Sequence, residues 1–234
     1  MAKYVPDVKT QRWVVIAPSR VNRPAESDGE QVTPPQQGGE PAVCPFCVGN
    51  EAATPPEVYR IGSGEKDKPG WEVRVVPNKY PITDIHEVII HSPSCDDDIE
   101  KLPPAQVAKV LTAYRDRFRA HADDGQVIIF CNHGAHAGAS LSHPHSQLVV
   151  VPKQINLDAL SREPITNVVI ENTHYVTYCP DFSQWPFEKW IAPKEQGTRF
   201  SDTADSDLPD LAEILHGAAR SIEAVYHDPR FLHI

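Results

Sequence analysis

One order of elements is written twice along this chain, and that repetition limits the folds open to it. Trp71 to Pro77 and Glu87 to His91 are β-branched, apolar runs that read as two strands joined through Asn78-Lys79-Tyr80-Pro81. A helix follows, because Val107, Val110, Leu111, Tyr114 and Phe118 recur at spacings of three and four after the Pro103-Pro104 start, with Arg and His toward its end. Gln126 to Phe130 and Gln147 to Val151 read as two further strands. The order then begins again, with strand-like runs at Asn167 to Glu171, His174 to Tyr178 and Phe187 to Ala192. A second helical stripe comes next, Leu211, Ile214, Leu215, Ala218, Ile222 and Val225, with Pro209 near its start. Phe231 to Ile234 looks like the opening of a strand, and there the second pass stops. The reading is an α+β chain with one complete module, residues 1–152, and a partial second one, residues 153–234, apparently lacking its last strands. A unit cut at that point leaves a sheet edge and apolar surface for a second copy or a complementary C-terminal chain to cover.

Ahead of this pattern, Gln11 to Ala17 reads as a strand, and the Pro-, Gly-, Gln- and Glu-rich segment from Ala25 to Ala42 as an exposed loop. The 234 residues, 40% hydrophobic and 23% charged, are enough to bury a substantial core. Lys+Arg 22 against Asp+Glu 32 gives a net charge of −10, which argues against a nucleic-acid surface. The N-terminus, Met1 to Asp7, carries no apolar stretch of signal-peptide length, and no run approaches the roughly 20 apolar residues of a membrane span. The expectation is a cytoplasmic protein with no membrane partner. Five cysteines without a secretory signal then point to metal binding or simple burial rather than to disulfides.

Asn132 to Gln147 carries the chemistry: a loop containing Gly134 and Gly138, then His143-Pro144-His145-Ser146-Gln147. An imidazole with a solution pKa of about 6.5 is largely neutral at pH 7 and can attack phosphorus without a strong base beside it. The two glycines allow backbone N–H groups close to phosphate oxygens. Cys44-Pro45-Phe46-Cys47 has the spacing of a zinc knuckle, although a redox pair or buried thiols would share it. Cys95 is a candidate third ligand and His143 a candidate fourth, with His91 and Cys131 competing for the third place.

Taken together, Cys44-x-x-Cys47, Asn78, the His86-Glu87-Val88 to Ser92-Pro93 segment, Asn132, Gly138-Ala139-Ser140 and His143-Pro144-His145-x-Gln147 resemble the galactose-1-phosphate uridylyltransferases, a family of the histidine-triad superfamily. The resemblance runs from about Ala17 to about Glu188. It implies a pair of fused histidine-triad modules built on antiparallel sheet with helices, and a reaction that passes UMP from UDP-glucose to a histidine and on to a hexose 1-phosphate. Carried over, His145 is the nucleophile and Gln147 the amide that holds the transferred phosphoryl group. Arg20 and Arg23 would meet nucleotide phosphates. Asn78, Asn132, Gly138 and Ser140 would line the nucleotide site, while Cys44, Cys47, Cys95 and His143 would hold a structural zinc. Many members carry histidine at the position of Cys95. Hydrolytic members of the superfamily have a histidine where this chain has Gln147, and an amide cannot protonate a poor leaving group. A sugar phosphate, with a second pKa of about 6, departs without that help, so Gln147 favours transfer over hydrolysis. The resemblance therefore also admits a phosphorylase acting on ADP-glucose or a dinucleoside polyphosphate, and the unfinished second module admits a split half active only with a complementary chain.

Overall fold

The computed structural model describes residues 2–7, 9, 12–18, 20, 44–133, 137, 141–155 and 165–226. Its elements are strands β1 (Lys3–Asp7), β2 (Arg12–Ile16), β3 (Tyr59–Gly62), β4 (Trp71–Pro77) and β5 (His86–Ile90), helix α1 (Pro104–Ala120), strands β6 (Gln126–Cys131), β7 (His145–Val151), β8 (Val168–Glu171), β9 (Tyr175–Tyr178) and β10 (Trp190–Pro193), and helix α2 (Leu208–Tyr226). Every strand pairing among them is antiparallel, which makes the fold α+β as expected. The chain forms two compact units, Met1–Asp96 with Asp124–Ile155, and Asp97–Asp123 with Asn156–Ile234. Helix α1, which lies within residues 1–152, thus groups with the later segment. No helix among the described residues is long and apolar enough to cross a membrane.

The first unit is built on a five-stranded sheet in the order β3-β4-β5-β7-β6. Its middle is dry: all five residues of β5 are buried, and so are Ser146 and Leu148 to Val151 of β7. Ile89, Ile90 and Leu148 are each 0% exposed, and burying a side chain of that size stabilises by about 1.5–3 kcal/mol. Phe46, Trp71, Val76, Val88 and Ile90 form a core cluster, with Cys44 and Leu141 packed against it. The Cys44–Cys47 turn is tied to that cluster through Glu51. Its Oε1 accepts from Trp71 Nε1 at 2.9 Å and its Oε2 from Gly49 N–H at 3.0 Å. Beside it the guanidinium of Arg74, 1% exposed, donates to Glu57 Oε2 at 2.8 Å and to Asp67 Oδ1 at 2.9 Å. Gly125 lets the β6–β7 pair begin: a Cβ there would meet Val151 O at 2.4 Å.

The second unit has a three-stranded sheet, β10-β9-β8, together with α1 and α2. Leu102, Val107, Leu111, Tyr175, Leu208, Leu211, Ala212 and Ile214 form its core, so the stripes read on both helices do face inward. Arg115 is buried despite its charge, because it donates to Thr203 O at 3.0 Å and pairs with Asp205 at 2.6 Å. The strand expected from Phe187 begins at Trp190 instead. Phe187 has φ +62°, which ends extended backbone, and the Glu188 carboxylate accepts the Gln184 and Trp185 N–H groups in a local turn. The segment 25–42 and the strand expected at 231–234 lie outside the described residues.

Candidate functional site

The register between β5 and β7 decides which side chains meet. Ile90 pairs with His145, Val88 with Gln147 and His86 with Val149, so His145, Gln147 and His86 all project from one face of the sheet. Ser146, between the first two, points to the other face, where its Oγ lies 2.8 Å from Nε2 of fully buried His91. His145 is fixed by its own strand: its Nδ1–H donates to the His143 carbonyl at 2.8 Å. That bond puts the proton on Nδ1 and makes Nε2 the nitrogen that carries the lone pair. The Phe46 ring stands edge-on to His145 with centroids 5.3 Å apart.

His143 is turned the opposite way. Its Nε2–H donates to Ser92 O at 2.9 Å, so Nδ1 presents its lone pair to Cys44 Sγ and Cys47 Sγ, each 3.7 Å away. Cys95 completes the group, and the four ligand atoms lie within 4.8 Å of one another. Metal–sulfur and metal–nitrogen bonds of about 2.3 and 2.05 Å at tetrahedral angles would separate N from S by about 3.6 Å, so the spacing suits one zinc-sized ion. Without a cation the cluster disfavours ionisation. Burial, then the neighbouring Cys95 and Cys44, pushes the Cys47 thiol up to about 12. Burial also lowers the pKa of His143, holding it neutral as a ligand must be. A divalent ion would reverse the thiol shift. Of the competing third ligands, His91 is engaged with Ser146, and Cys131 Sγ lies 3.4 Å from His145 O.

Gln147 is joined to His86, a residue with no role assigned above. His86 Nε2 lies 3.0 Å from Gln147 Oε1 and 3.1 Å from Asn78 Nδ2, so Asn78 and Gln147, expected in one site, meet through this ring. Burial holds the His86 pKa down at about 4, with the Arg20 charge acting in the same direction and the Gln147 bond opposing it. The Arg20 charge is therefore felt at this end of the sheet. Asn132 follows Cys131, which pairs with Ser146. Arg23, Gly134, Gly138 and Ser140 lie outside the described residues. His86 heads a segment that carries the family resemblance, and its place as a polar residue at the start of the apolar run to Ile90 was the signal that it has a role of its own.

The chain is similar to known proteins. The N-terminal domain of galactose-1-phosphate uridyl transferase matches residues 82–151, the span that holds His143, His145 and Gln147. An ADP-glucose phosphorylase from Arabidopsis thaliana is 30% identical over 268 residues, covering 96% of this chain and 75% of that protein. The chain belongs to the galactose-1-phosphate uridylyltransferase family. The galactose-1-phosphate uridylyltransferase of Thermotoga maritima is 24% identical, covering 88% of this chain and 71% of its own length. The family fold is also that of solved structures. The Arabidopsis ADP-glucose phosphorylase with bound ADP-glucose has a TM-score of 0.69 at 28% identity, covering 98% of this chain and 80% of that one. A uridylyltransferase structure gives 0.64 at 23% identity over 92% of this chain and 74% of that one.

Proposed function

We propose that this protein is a nucleotidyltransferase that works by two displacements through a covalent nucleotidyl-His145. The observation that carries the reading is the 2.8 Å bond from His145 Nδ1–H to the His143 carbonyl, which keeps the ring proton on Nδ1 and makes Nε2 the lone-pair nitrogen, on the face that also bears Gln147. In the first step the Nε2 lone pair forms a bond to the α-phosphorus of a nucleotide sugar. The P–O bond to the sugar phosphate breaks, and the sugar 1-phosphate leaves with that electron pair. In the second step an acceptor phosphate oxygen forms a bond to the same phosphorus, and the N–P bond returns its electrons to His145. No general acid is required, because the leaving group is a phosphate monoester dianion with a second pKa of about 6. The rate comes from alignment and from N–H donors aimed at the phosphoryl oxygens, with Gln147, Asn78, Asn132, Gly138 and Ser140 lining the site and Arg20 and Arg23 supplying positive charge.

Cys44, Cys47, Cys95 and His143 would hold a zinc ion that does no chemistry. A closed set of four protein ligands leaves no open position, and its effect is to anchor the start of β7 to the Cys44–Cys47 turn, which steadies His145.

For the donor and acceptor, the 30% identity to an ADP-glucose phosphorylase favours adenylyl transfer between ADP-glucose and inorganic phosphate. A second reading, UMP transfer between UDP-glucose and galactose 1-phosphate, is supported by the family match over residues 82–151 and by the uridylyltransferase relatives. Turnover with each donor and acceptor pair decides between them. Release of ADP from ADP-glucose plus phosphate supports the first, and UDP-galactose formation supports the second. Product from neither pair would overturn both.

A further inference from the structure

Three hydrogen-bonding groups surround the ring of His86, and two of them, against the Asn78 NH2, fix its proton. A backbone N–H can only donate, so Ile82 N–H, 3.1 Å from Nδ1, makes that nitrogen the acceptor. The ring proton is then on Nε2 and donates to Gln147 Oε1 at 3.0 Å. In the other tautomer the Ile82 N–H would face a second N–H, and the Nε2 lone pair would face the lone pairs of Oε1. Both bonds would be lost. The ring is 4% exposed and neutral at pH 7, so a doubly protonated state does not intervene.

The consequence falls on the two amides. An amide side chain flipped end for end occupies nearly the same volume, so packing alone cannot choose which end faces the site. Here Gln147 Oε1 is taken up by His86, which turns its NH2 to the opposite side. Asn78 is oriented by the backbone as well: its Oδ1 accepts from Tyr80 N–H at 2.8 Å, and its Nδ2 lies 3.1 Å from His86 Nε2. Because Nε2 carries a proton, that NH2 finds no lone pair on the ring and must donate elsewhere. Both amides thus have their oxygens held by protein, and the Gln147 NH2 is the donor turned away from His86, the polarity that an anionic, acceptor-only phosphoryl group requires.

We infer that His86 is a positioning residue, which by donating from Nε2 to Gln147 Oε1 sets that amide so that its NH2, not its carbonyl oxygen, meets the phosphoryl group transferred to His145. This rests on the roles proposed above for His145 and Gln147. With a flipped Gln147, a partial negative charge would face the equatorial oxygens just as their charge is developing.

The test is the single-turnover rate of adduct formation, followed by intact mass with ADP-glucose and with UDP-glucose as probes. His86→Asn keeps an acceptor for Ile82 N–H near the Nδ1 position and removes the donor at Nε2, whereas His86→Gln can restore a donor there. Loss of one aimed donor costs about 10²–10³ in rate. An unheld Gln147 amide is expected to slow the step by about twofold where its two orientations become equal and by about 10–100-fold where the carbonyl end comes to face the site, with the KM for the nucleotide sugar changed less than about threefold. His86→Gln should recover most of the loss. In a Gln147→Ala background, His86→Asn should have no further effect, since the amide it positions is gone. Equal slowing in both backgrounds, or no slowing at all, would overturn the inference. Should His86→Asn not fold, His86→Phe, which keeps the ring shape, carries the same expectations. A wild-type chain that forms no His145-dependent adduct would overturn the underlying reading, and this inference with it. That outcome is distinct from normal adduct formation by the His86 variants.

Discussion

His86 also makes a prediction about acid stability that needs no substrate. In the folded chain its pKa lies at about 4, mainly because the ring is buried. In an unfolded chain an imidazole takes up a proton at about 6.5. A folded pKa below the unfolded one means that protons favour the unfolded state, and the stability present above pH 6.5 is lost as pH falls toward 4. At about 1.36 kcal/mol per pH unit, the whole interval corresponds to about 3 kcal/mol, and the part above pH 5 to about 2 kcal/mol. The assay is denaturant unfolding of the wild type and His86→Asn at pH 7.5 and pH 5. Carboxylates and other histidines titrate in both proteins, so the difference between the two pH-dependent losses isolates His86. The wild type is expected to lose about 2 kcal/mol more than the variant. An equal loss in both would mean that His86 titrates normally in the folded chain, and the tautomer argument built on its neutrality would fall with it.

The other predictions separate the metal, the chemistry and the scaffold. Cys44→Ser and Cys95→Ser should each lose the bound metal in elemental analysis of purified protein and lower the melting temperature. A wild-type chain with no zinc would refute the metal assignment. Gln147→Ala should slow adduct formation by about 10²–10³ with little change in KM, and a change confined to KM would refute its role in transfer. Glu57→Ala should cost about 3 kcal/mol, at the low end for a broken buried pair because Arg74 keeps Asp67. The folded fraction of that variant should form adduct at the wild-type rate, and slow adduct formation would link this network to the site.

Much of the fold was legible because its signals are local. The apolar run of β7 and the stripes on α1 and α2 report burial through period alone, and the Cys-x-x-Cys spacing reports a turn that can offer two thiolates. Strand β1 was missed because the β1–β2 hairpin is mostly exposed, so no face of it carries a burial pattern. Strand β3 was missed because Tyr59 to Gly62 is short and its Arg60 serves the Glu57 ion pair. At the site, Cys95 could be proposed but not chosen over His91 and Cys131, since that choice depends on which side chains the fold gathers. His86 was out of reach for the same reason. Its partner Gln147 is 61 residues away, and only the pairing of Val88 with Gln147 puts the two on one face. Long-range register is a property of the folded sheet, and short-range pattern does not encode it.

The intact mass of the chain after incubation with a nucleotide sugar, in the absence of acceptor, tests the central claim most directly. A covalent gain equal to AMP or UMP is expected on the wild type, reversed by adding the phosphate or sugar-phosphate acceptor and absent from His145→Ala. A wild-type chain that turns over nucleotide sugar without ever carrying that mass, or a His145→Ala variant that still acquires it, would contradict the account.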